Sequence, residues 1–298
     1  MTKVGLIGAG LMGYGIGKNI LAKGHQLVVM ANRNREPVDK LIAQGASEAK
    51  TPRAIAEASD MVILCVTGSP QIEDIIYRAD GILAGLKPGQ IIADASTAEP
   101  DSTRKVAASV AEKGGRFCDI PMTRTPKDAE AGKLGLMTGG DPTALAEIRP
   151  VLDCFADTIV YAGPVGSAHV LKLINNFLSI AHAAIASEAI VAAAKAGVDM
   201  NALKDIVLAG GASSTMFARL INVPLSDDDS HAKFAIKNAC KDMRYYTNLT
   251  ENLPYTSFLA EAVHQTLVLA RNQGYGDRYL PRLINLMADL NCVRIGGK

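Results

Sequence analysis

A stretch of thirty residues without glycine or proline lies in the middle of this chain and constrains its fold most. Gly163, Pro164 and Gly166 precede the stretch, and Gly197 follows it. Because it is rich in Ala, Leu and Ile and is bounded by helix breakers, it predicts one long helix. At 1.5 Å per residue such a helix is roughly 45 Å long, the width of a whole domain. We therefore expect the rest of the chain to be arranged around it.

Apolar side chains cover most of the predicted long helix, which predicts that it is buried on nearly all sides. They are Val170, Leu173, Ile174, Phe177, Leu178, Ile180, Ile185 and Ile190. The polar side chains on the same stretch are Lys172, Asn175, Asn176 and Ser179. Spacings of three, four and seven residues place these four on one stripe. An ammonium and two carboxamides on a buried helix are unfavourable unless they are paired or face a cavity, so this stripe is the candidate active site.

The length of 298 residues is large for one hydrophobic core, so two domains are expected. We predict a nucleotide-binding domain over residues 1–164 and a helical domain over residues 165–298. A net charge of +1 gives no reason to expect a nucleic acid or a membrane as a partner. No leader pattern precedes the first predicted strand, and the most apolar window contains His182, Glu188 and Lys195. These features predict a cytoplasmic protein without a membrane span.

Cysteine and histidine residues show none of the spacings that bind metals. The five cysteines, Cys65, Cys118, Cys154, Cys240 and Cys292, are scattered without a CxxC pair, and the five histidines form no HExxH motif. We therefore predict no metal site, and we expect the thiols to be buried in a reducing compartment.

A glycine-rich loop near the N-terminus follows a short apolar strand over residues 3–8. It reads Gly8-Ala9-Gly10-Leu11-Met12-Gly13 and leads into an apolar-periodic helix and a second strand, Gln26–Met30. A strand, GxGxxG, a helix and a strand within about thirty residues form the dinucleotide-binding pattern. Gly8 allows the tight turn, Gly10 admits the pyrophosphate, and Gly13 lets the helix pack on the strand. We predict that this loop, including Leu11 and Met12, binds a nicotinamide cofactor at the helix N-terminus.

The residues after the second strand favour NADP(H) over NAD(H). An NAD site carries an acid there, whereas Asn32, Arg33, Asn34 and Arg35 follow Ala31 with no acid before Glu36. Guanidinium groups can bind a 2′-phosphate through paired hydrogen bonds, which a carboxylate would repel. We therefore predict cofactor contacts for Asn32, Arg33 and Arg35. The alternative is that the arginines are solvated loop charges.

Strand and helix patterns continue to alternate up to about residue 152. Predicted helices cover Pro52–Ala58, Gln71–Ile76, 102–113 and Ala144–Leu152, and predicted strands cover Met61–Val66, Ile91–Asp94, Phe117–Ile120 and Gly135–Met137. This alternation predicts a Rossmann domain with a doubly wound, mostly parallel sheet. Ligands bind at the carboxyl ends of such strands, so Val66, Thr67 and Thr97 are expected to contact the cofactor and Ser96 the substrate. Alternatively, these are ordinary strand-exit and N-cap residues.

The remainder of the chain is helical in pattern and predicts an all-α C-terminal domain joined through the long helix. The predicted helices cover residues 200–208, 214–221, 232–251, 256–273 and 278–291. Their apolar surface exceeds what about 130 residues can bury alone, which predicts that this domain forms an oligomer interface.

With these residues in place, the chain resembles the β-hydroxyacid dehydrogenase family, the group that includes 3-hydroxyisobutyrate dehydrogenase. The motifs are the loop from Gly8 to Gly13, Asp119-Ile120-Pro121 with Ala131-Gly132 and Gly139-Gly140, Gly163–Gly166 with Lys172 and Asn176, and Lys241-Asp242. The resemblance covers nearly the whole chain. It implies reversible hydride transfer, a catalytic Lys172, and a Lys241 close to the nicotinamide. It also implies a homodimer or homotetramer formed through the helical domain.

The substrate segment departs from the family pattern. Thr123-Arg124-Thr125 replaces the usual Ser-Gly-Gly and is similar to the sulfolactaldehyde reductases, in which the arginine helps to bind a sulfonate. A fork of N–H donors with hydroxyls suits three sulfonate oxygens, although arginine also binds carboxylates. The substrate is therefore expected to be a short anionic aldehyde or the related hydroxy acid, with a sulfonate or a carboxylate tail.

The resemblance also assigns roles within the expected reaction. Lys172 would give a proton to the developing alkoxide, Asn176 would orient the lysine and substrate, and Arg124 with Thr123, Thr125 and Asn175 would hold the anionic tail. Two other classes remain open at this point, an imine reductase and a non-catalytic NADP-binding protein. Lys172 argues against the first, and the polar stripe argues against the second.

Overall fold

The computed structural model describes residues 1–295 and divides by internal packing into two compact units, Met1–Lys172 and Leu173–Lys298. The dividing point lies within a single long helix. The boundary expected after residue 164 stays a prediction.

A nine-stranded sheet forms the centre of the first unit. The strands are β1 Lys3–Ile7, β2 Gln26–Met30, β3 Ser47–Glu48, β4 Met61–Leu64, β5 Ile91–Asp94, β6 Arg116–Asp119, β7 Met122–Thr123, β8 Leu134–Gly139 and β9 Ala156–Gly163. The spatial order is β3-β2-β1-β4-β5-β6-β8-β7, with β9 paired to β8. Strands β1 to β6 are parallel, β8 is antiparallel to β6 and β7, and β9 is parallel to β8.

Helices cover both faces of this sheet. They are α1 Gly13–Ala22, α2 Glu36–Ala43, α3 Pro52–Ala58, α4 Ser69–Tyr77, α5 Ile82–Gly85, α6 Pro100–Glu112, α7 Pro126–Glu130 and α8 Pro142–Leu152. One core cluster includes Ile16 of α1 and Ile148 of α8, whereas the other includes Ile55 of α3 and Val106 of α6. The predicted doubly wound, mostly parallel architecture is confirmed.

The second unit is helical, as predicted. The long helix α9 spans Ser167–Lys195, and it is followed by α10 Met200–Ala209, α11 Thr215–Leu220, α12 Asn222–Ser226, α13 Ile236–Asn252, α14 Phe258–Asn272 and α15 Leu283–Leu290, with 3-10 turns at Ser230–Ala232 and Leu280–Arg282. Phe177 of α9 stacks on Tyr246 of α13 with ring centroids 4.5 Å apart. This contact fixes α9 to the neighbouring helix within the unit.

The prediction that α9 is buried on nearly all sides is wrong for one stripe. Ile174, Leu178 and Ile185 are 40%, 53% and 61% exposed. Spacings of four and seven residues place them on one face, so the chain by itself covers only part of the helix. Within residues 1–295, α9 alone is long and apolar enough to cross a membrane, and 44% of its most apolar window is buried in the fold.

The cysteines are all free, but they are not all buried as expected. Cys292 is exposed and Cys65 is half-buried, whereas Cys118, Cys154 and Cys240 are buried. Cys292 lies shortly after the last helix, where few side chains cover it. Burial raises the pKa of the Cys65 and Cys118 thiols to about 12, which keeps both protonated and unreactive at neutral pH.

Candidate active site

The glycine loop after β1 leaves no room for side chains at two of its three glycines. Gly8 has a φ of +105°, and a Cβ there would lie 2.1 Å from the Cys65 carbonyl oxygen. A Cβ on Gly13 would lie 2.1 Å from the Gly8 carbonyl oxygen. The loop can therefore fold back tightly only because both residues are glycine.

Gly10 and the start of α1 form an open surface that fits a pyrophosphate. Among residues 1–295, no atom outside Gly10 and its two chain neighbours lies within 4 Å of a Cβ built on Gly10, and Leu11 beside it is 69% exposed. Helix α1 begins after the half-buried Met12 with no capping side chain and no acid in its first turn. An uncapped helix N-terminus beside open backbone is the arrangement that accepts phosphate oxygens.

The two arginines predicted to bind the 2′-phosphate, Arg33 and Arg35, have different surroundings. Arg35 makes paired hydrogen bonds of 2.9 and 2.7 Å to Glu48 and an ion pair of 2.9 Å to Asp39. These carboxylates raise the pKa of Arg35 and balance its charge. Arg33 is exposed next to the exposed Asn32, and within the described residues it forms no ion pair. Arg33 is therefore the better placed of the two to bind an added phosphate.

The turns after β4 and β5 are tied together by hydrogen bonds. The Val66 N–H donates to Ser96 Oγ at 3.0 Å, and the Ser96 N–H donates to Asp94 Oδ1 at 2.9 Å. Burial raises the pKa of Asp94, which is 1% exposed. Ser96 is also buried, whereas Thr97 is half-buried and Thr67 is exposed. The structure thus joins Val66 and Ser96, and sequence reasoning missed the part that Asp94 plays in holding them.

Asp119 anchors the start of α9 to the sheet. Its carboxylate accepts hydrogen bonds from the Gly166 and His169 N–H groups at 2.8 and 2.9 Å and is completely buried. A Cβ on Gly139 would lie 2.6 Å from Asp119 Oδ1, so glycine at 139 makes room for the carboxylate. This contact fixes the helical turn that precedes Lys172.

Lys172 lies beside the segment that carries the predicted substrate residues. Its side chain is half-buried, and Nζ donates a hydrogen bond of 2.6 Å to the carbonyl oxygen of Met122 in β7. Thr123, Arg124 and Thr125 follow Met122 directly. Within the first unit, the structure therefore brings the predicted catalytic amine to the predicted anion-binding segment.

The three residues of this segment also have partners of their own. Thr123 Oγ1 donates to the Gly135 carbonyl at 3.2 Å, and Thr125 caps α7 in a capping box with Asp128. Arg124 has a φ of +80°. Its guanidinium donates hydrogen bonds to Asp157 of β9 and to the carbonyl oxygen of Lys133, the residue before β8. The segment is therefore a braced turn rather than a free loop.

Helix α1 packs directly on α7, and thereby on the substrate segment. A Cβ on Gly15 would lie 2.5 Å from the Ala129 carbonyl carbon. Asn19 Nδ2 donates to the carbonyls of Ala129 and Glu130 at 2.9 and 3.3 Å, as well as to its own helix at 2.8 Å. Sequence reasoning missed this bridge, for which an asparagine inside a helix was the available signal.

We expect Asn19→Ala to weaken substrate binding more than cofactor binding. Loss of the two hydrogen bonds to α7 frees the segment that leads to Arg124, whereas the glycine loop keeps its shape. The KM for an aldehyde should rise several-fold, the KM for NADPH should change less, and the unfolding free energy should fall by about 1 kcal/mol. Lys18→Ala on the same helix is the control. An increase confined to the KM for NADPH would contradict the bridge.

The second unit holds the remaining predicted polar residues in a connected chain. Asn175 Nδ2 donates to Asn176 Oδ1 at 3.2 Å, and Asn176 Nδ2 donates to Asp242 Oδ2 at 2.6 Å. Lys241 Nζ lies 2.7 Å from the other Asp242 oxygen and 4.6 Å from the centroid of the Tyr245 ring. Asn176 and Asp242 are 8% and 3% exposed. Asp242, which sequence analysis noted only as part of a motif, thus orients both Asn176 and Lys241.

No group of three or more His, Cys, Asp or Glu side chains that could hold a metal ion occurs in the part of the chain described, residues 1–295. The chemistry open to these residues is proton transfer by an amine together with binding of anions by arginines and backbone N–H groups.

A Rossmann sheet with an open glycine loop, followed by a helical unit, is the architecture of a dinucleotide-binding protein. The family model for the NAD-binding domain of 6-phosphogluconate dehydrogenase matches residues 3–163, and that for the NAD-binding region of NADP-dependent 3-hydroxyisobutyrate dehydrogenase matches residues 166–287. The chain belongs to the β-hydroxyacid dehydrogenase family, as the motifs predict. It is an NAD(P)-dependent oxidoreductase acting on CH–OH groups.

Relatives and solved structures agree with this assignment. The 2-hydroxy-3-oxopropionate reductase of Escherichia coli is 32% identical over 213 residues, which cover 71% of this chain and 72% of the relative. The crystal structure of a 3-hydroxyisobutyrate dehydrogenase from Salmonella typhimurium has a TM-score of 0.86 at 26% identity, covering 96% of this chain and all of that one. Psf3 in complex with NADP+ and 2-OPP has a TM-score of 0.84 at 28% identity, covering 95% and 99%.

Proposed function

We propose that this chain is a cytoplasmic, NADP(H)-dependent reductase that interconverts a short anionic semialdehyde and its hydroxy acid. The observation that carries the proposal is the position of Lys172, whose ammonium donates to the Met122 carbonyl 2.6 Å away at the start of the Thr123-Arg124-Thr125 segment. An amine beside a cationic segment suits a substrate with a carbonyl at one end and an anion at the other.

The chain's own residues supply the proton and the orientation. A bound nicotinamide would supply the hydride that adds to the carbonyl carbon. Lys172 donates a proton to the carbonyl oxygen as negative charge develops there, and in the oxidative direction it takes the proton back. Asn176 follows Lys172 at one-turn spacing along α9, and Asp242 fixes its carboxamide at 2.6 Å. A well-placed general acid accelerates such a reaction by roughly 10² to 10⁴-fold.

The anionic tail of the substrate is assigned to Arg124, with Thr123, Thr125 and Asn175 in support. A guanidinium flanked by hydroxyls offers several N–H and O–H donors in different directions, which suits three tetrahedral sulfonate oxygens. The specific proposal is therefore reduction of 3-sulfolactaldehyde to 2,3-dihydroxypropane-1-sulfonate. A carboxylate semialdehyde is the alternative, and the name of the Escherichia coli reductase, a 2-hydroxy-3-oxopropionate enzyme, favours it.

The preference for NADP(H) is supported by the exposed Arg33 after β2 and by the match to the NADP-dependent 3-hydroxyisobutyrate dehydrogenase model. The complex of Psf3 with NADP+ supports it as well. Ser96, Thr67, Thr97 and Lys241 remain predicted ligand contacts.

We further propose that the protein is a homodimer or homotetramer formed through its helical part. The exposed stripe of Ile174, Leu178 and Ile185 supports this, as does α10, in which no residue is buried. Apolar surface of this kind is typical of interfaces.

A substrate panel tests the proposal. The enzyme is assayed with NADPH and with 3-sulfolactaldehyde, succinic, methylmalonic and tartronic semialdehydes, glyceraldehyde and a cyclic imine. We expect the anionic aldehydes to have the highest kcat/KM, with the sulfonate first. A preference for glyceraldehyde would overturn the assignment of Arg124, and turnover of the imine alone would identify an imine reductase.

A further inference from the structure

The guanidinium of Arg124 is held at one edge of the first unit by three partners. Arg124 Nη1 donates to the Lys133 carbonyl oxygen and to Asp157 Oδ2, the latter at 2.8 Å, and Nη2 donates to Thr158 Oγ1 at 3.0 Å. The second Asp157 oxygen also lies 2.8 Å from Nη1. Of the five guanidinium N–H groups, those on Nη1 are therefore engaged by protein oxygens.

A β-bulge directs Asp157 toward this arginine. Leu134 of β8 pairs with Ala156 of β9, but the next residue, Gly135, pairs with Thr158, so that Asp157 is the extra residue. Bulges of this kind lie at sheet edges and next to active sites, where they turn a side chain to a new direction. The contact between Asp157 and Arg124 is thus built into the pairing of β8 and β9.

Gly135 provides the space for the arrangement on the opposite strand. A Cβ at this position would lie 2.4 Å from Thr123 Oγ1 and 3.9 Å from Arg124 Nε. Thr123 and Arg124 therefore lie against bare backbone, and Asp157 is the carboxylate paired with Arg124 there.

The pair is open to solvent, so another anion can replace the carboxylate. The side chains of Arg124 and Asp157 are 36% and 44% exposed. Because exposed ion pairs are weak, little of an incoming anion's binding free energy is needed to displace the carboxylate from Arg124. The hydrogen bond from Arg124, and then that from Thr158, lowers the pKa of Asp157, so the carboxylate is charged throughout the neutral range.

We propose that Asp157 is a specificity-determining residue that competes with the anionic tail of the substrate for Arg124, and so sets how tightly the enzyme binds anionic aldehydes. This inference rests on the proposed function of Arg124. A substrate tail whose acceptor oxygens are strongly basic or numerous displaces Asp157 more readily than a tail with few, weakly basic oxygens does. The pair of Arg124 and Asp157 therefore discriminates among anions as well as against neutral aldehydes.

Asp157→Asn isolates the charge, because asparagine keeps the shape and one acceptor oxygen for Arg124. Wild type, Asp157→Asn, Arg124→Gln and the double variant are compared by KM for 3-sulfolactaldehyde and glyceraldehyde at saturating NADPH. A second readout, independent of turnover, is the Kd of 2-hydroxyethanesulfonate for the NADP+-loaded enzyme, measured by calorimetry. The matched control is Asp153→Asn, which removes the same charge from an exposed pair with Arg149 at 2.6 Å.

We expect Asp157→Asn to lower the sulfonate Kd and the KM for 3-sulfolactaldehyde by about two- to fivefold, with glyceraldehyde unchanged. The effect should shrink at high salt and disappear in the Arg124→Gln background. Asp157→Ser should act in the same direction if the asparagine variant folds poorly.

Weaker or unchanged sulfonate binding in both Asp157→Asn and Asp157→Ser overturns the inference. An equal gain in sulfonate affinity in Asp153→Asn also overturns it. If the wild type reduces no anionic aldehyde but Asp157→Asn still tightens sulfonate binding, the proposed function fails and the inference stands. If no variant binds the sulfonate, both fail.

Discussion

Lys172→Ala is expected to lower kcat at least about a hundredfold while leaving the affinity for NADPH nearly unchanged. The amine of Lys172 is positioned by its 2.6 Å hydrogen bond to the Met122 carbonyl and by the preceding turn of α9, which Asp119 holds through two N–H groups. Alanine keeps the helix but removes the only part of this side chain that can donate a proton. The glycine loop, which is predicted to bind the cofactor, is not touched.

Single-turnover kinetics with an anionic aldehyde and fluorescence titration with NADPH separate the two effects. Lys172→Arg is the informative companion, because it keeps a positive charge but changes the position and acidity of the donor. We expect it to lose nearly as much activity as the alanine variant. A loss of less than about tenfold in Lys172→Ala, with an unchanged melting temperature, would remove the lysine from the role of acid.

Arg33→Ser is expected to raise the Kd for NADPH by roughly ten- to a hundredfold and to leave the Kd for NADH nearly unchanged. The 2′-phosphate is present only on NADPH, and charged hydrogen bonds to it are lost without another cation to replace them. Arg35→Ser is the matched comparison. Its effect should be several-fold smaller, because Glu48 and Asp39 hold the Arg35 guanidinium at 2.7 and 2.9 Å.

Equal losses in the two arginine variants would mean that Arg35 leaves its carboxylates when the cofactor binds. Equal losses for NADPH and NADH would instead place Arg33 outside the phosphate site. Higher ionic strength should weaken NADPH binding to the wild type more than to Arg33→Ser, because the variant lacks the charge pair with the 2′-phosphate that salt screens in the wild type.

Local patterns were sufficient to predict much of the fold. The absence of glycine and proline between Gly166 and Gly197 predicted a helix that spans Ser167–Lys195 in the structure. The spacing of the GxGxxG loop between two apolar strands predicted a tight turn, in which Gly8 and Gly13 admit no side chain. In both cases the signal lies within a few residues of the feature.

Features that depend on distant residues were not predictable in this way. Strand β9 was missed although Ile159, Val160 and Tyr161 form a short apolar run, because only one of its eight residues is buried and the run shows no alternation between a buried and an exposed face. The expected all-round burial of α9 failed at Ile174 and its neighbours on the stripe, because composition does not specify which faces a single chain covers. The bridge from Asn19 to α7 joins residues 110 positions apart, so the local signal, an asparagine inside a helix, does not identify its partner.

The same division applies to the candidate site. Lys172 and Asn176 were predicted as site residues from their spacing on one helix, but their structural supports, Asp119 and Asp242, come from other elements. Asp157 gave no sequence signal, since a bulge depends on how two strands pair.

The backbone at Arg124 has a consequence for how this family can change its substrates. A φ of +80° is unfavourable for arginine by about 1–2 kcal/mol and is natural for glycine, the residue that the resemblance implies at this position in the family's usual Ser-Gly-Gly pattern. Exchange to glycine therefore relieves strain that offsets the loss of an exposed ion pair, and the fold tolerates either residue. We therefore expect Arg124→Gly to cost little thermal stability, so that the predicted anion contact can be gained or lost at this position without loss of the fold.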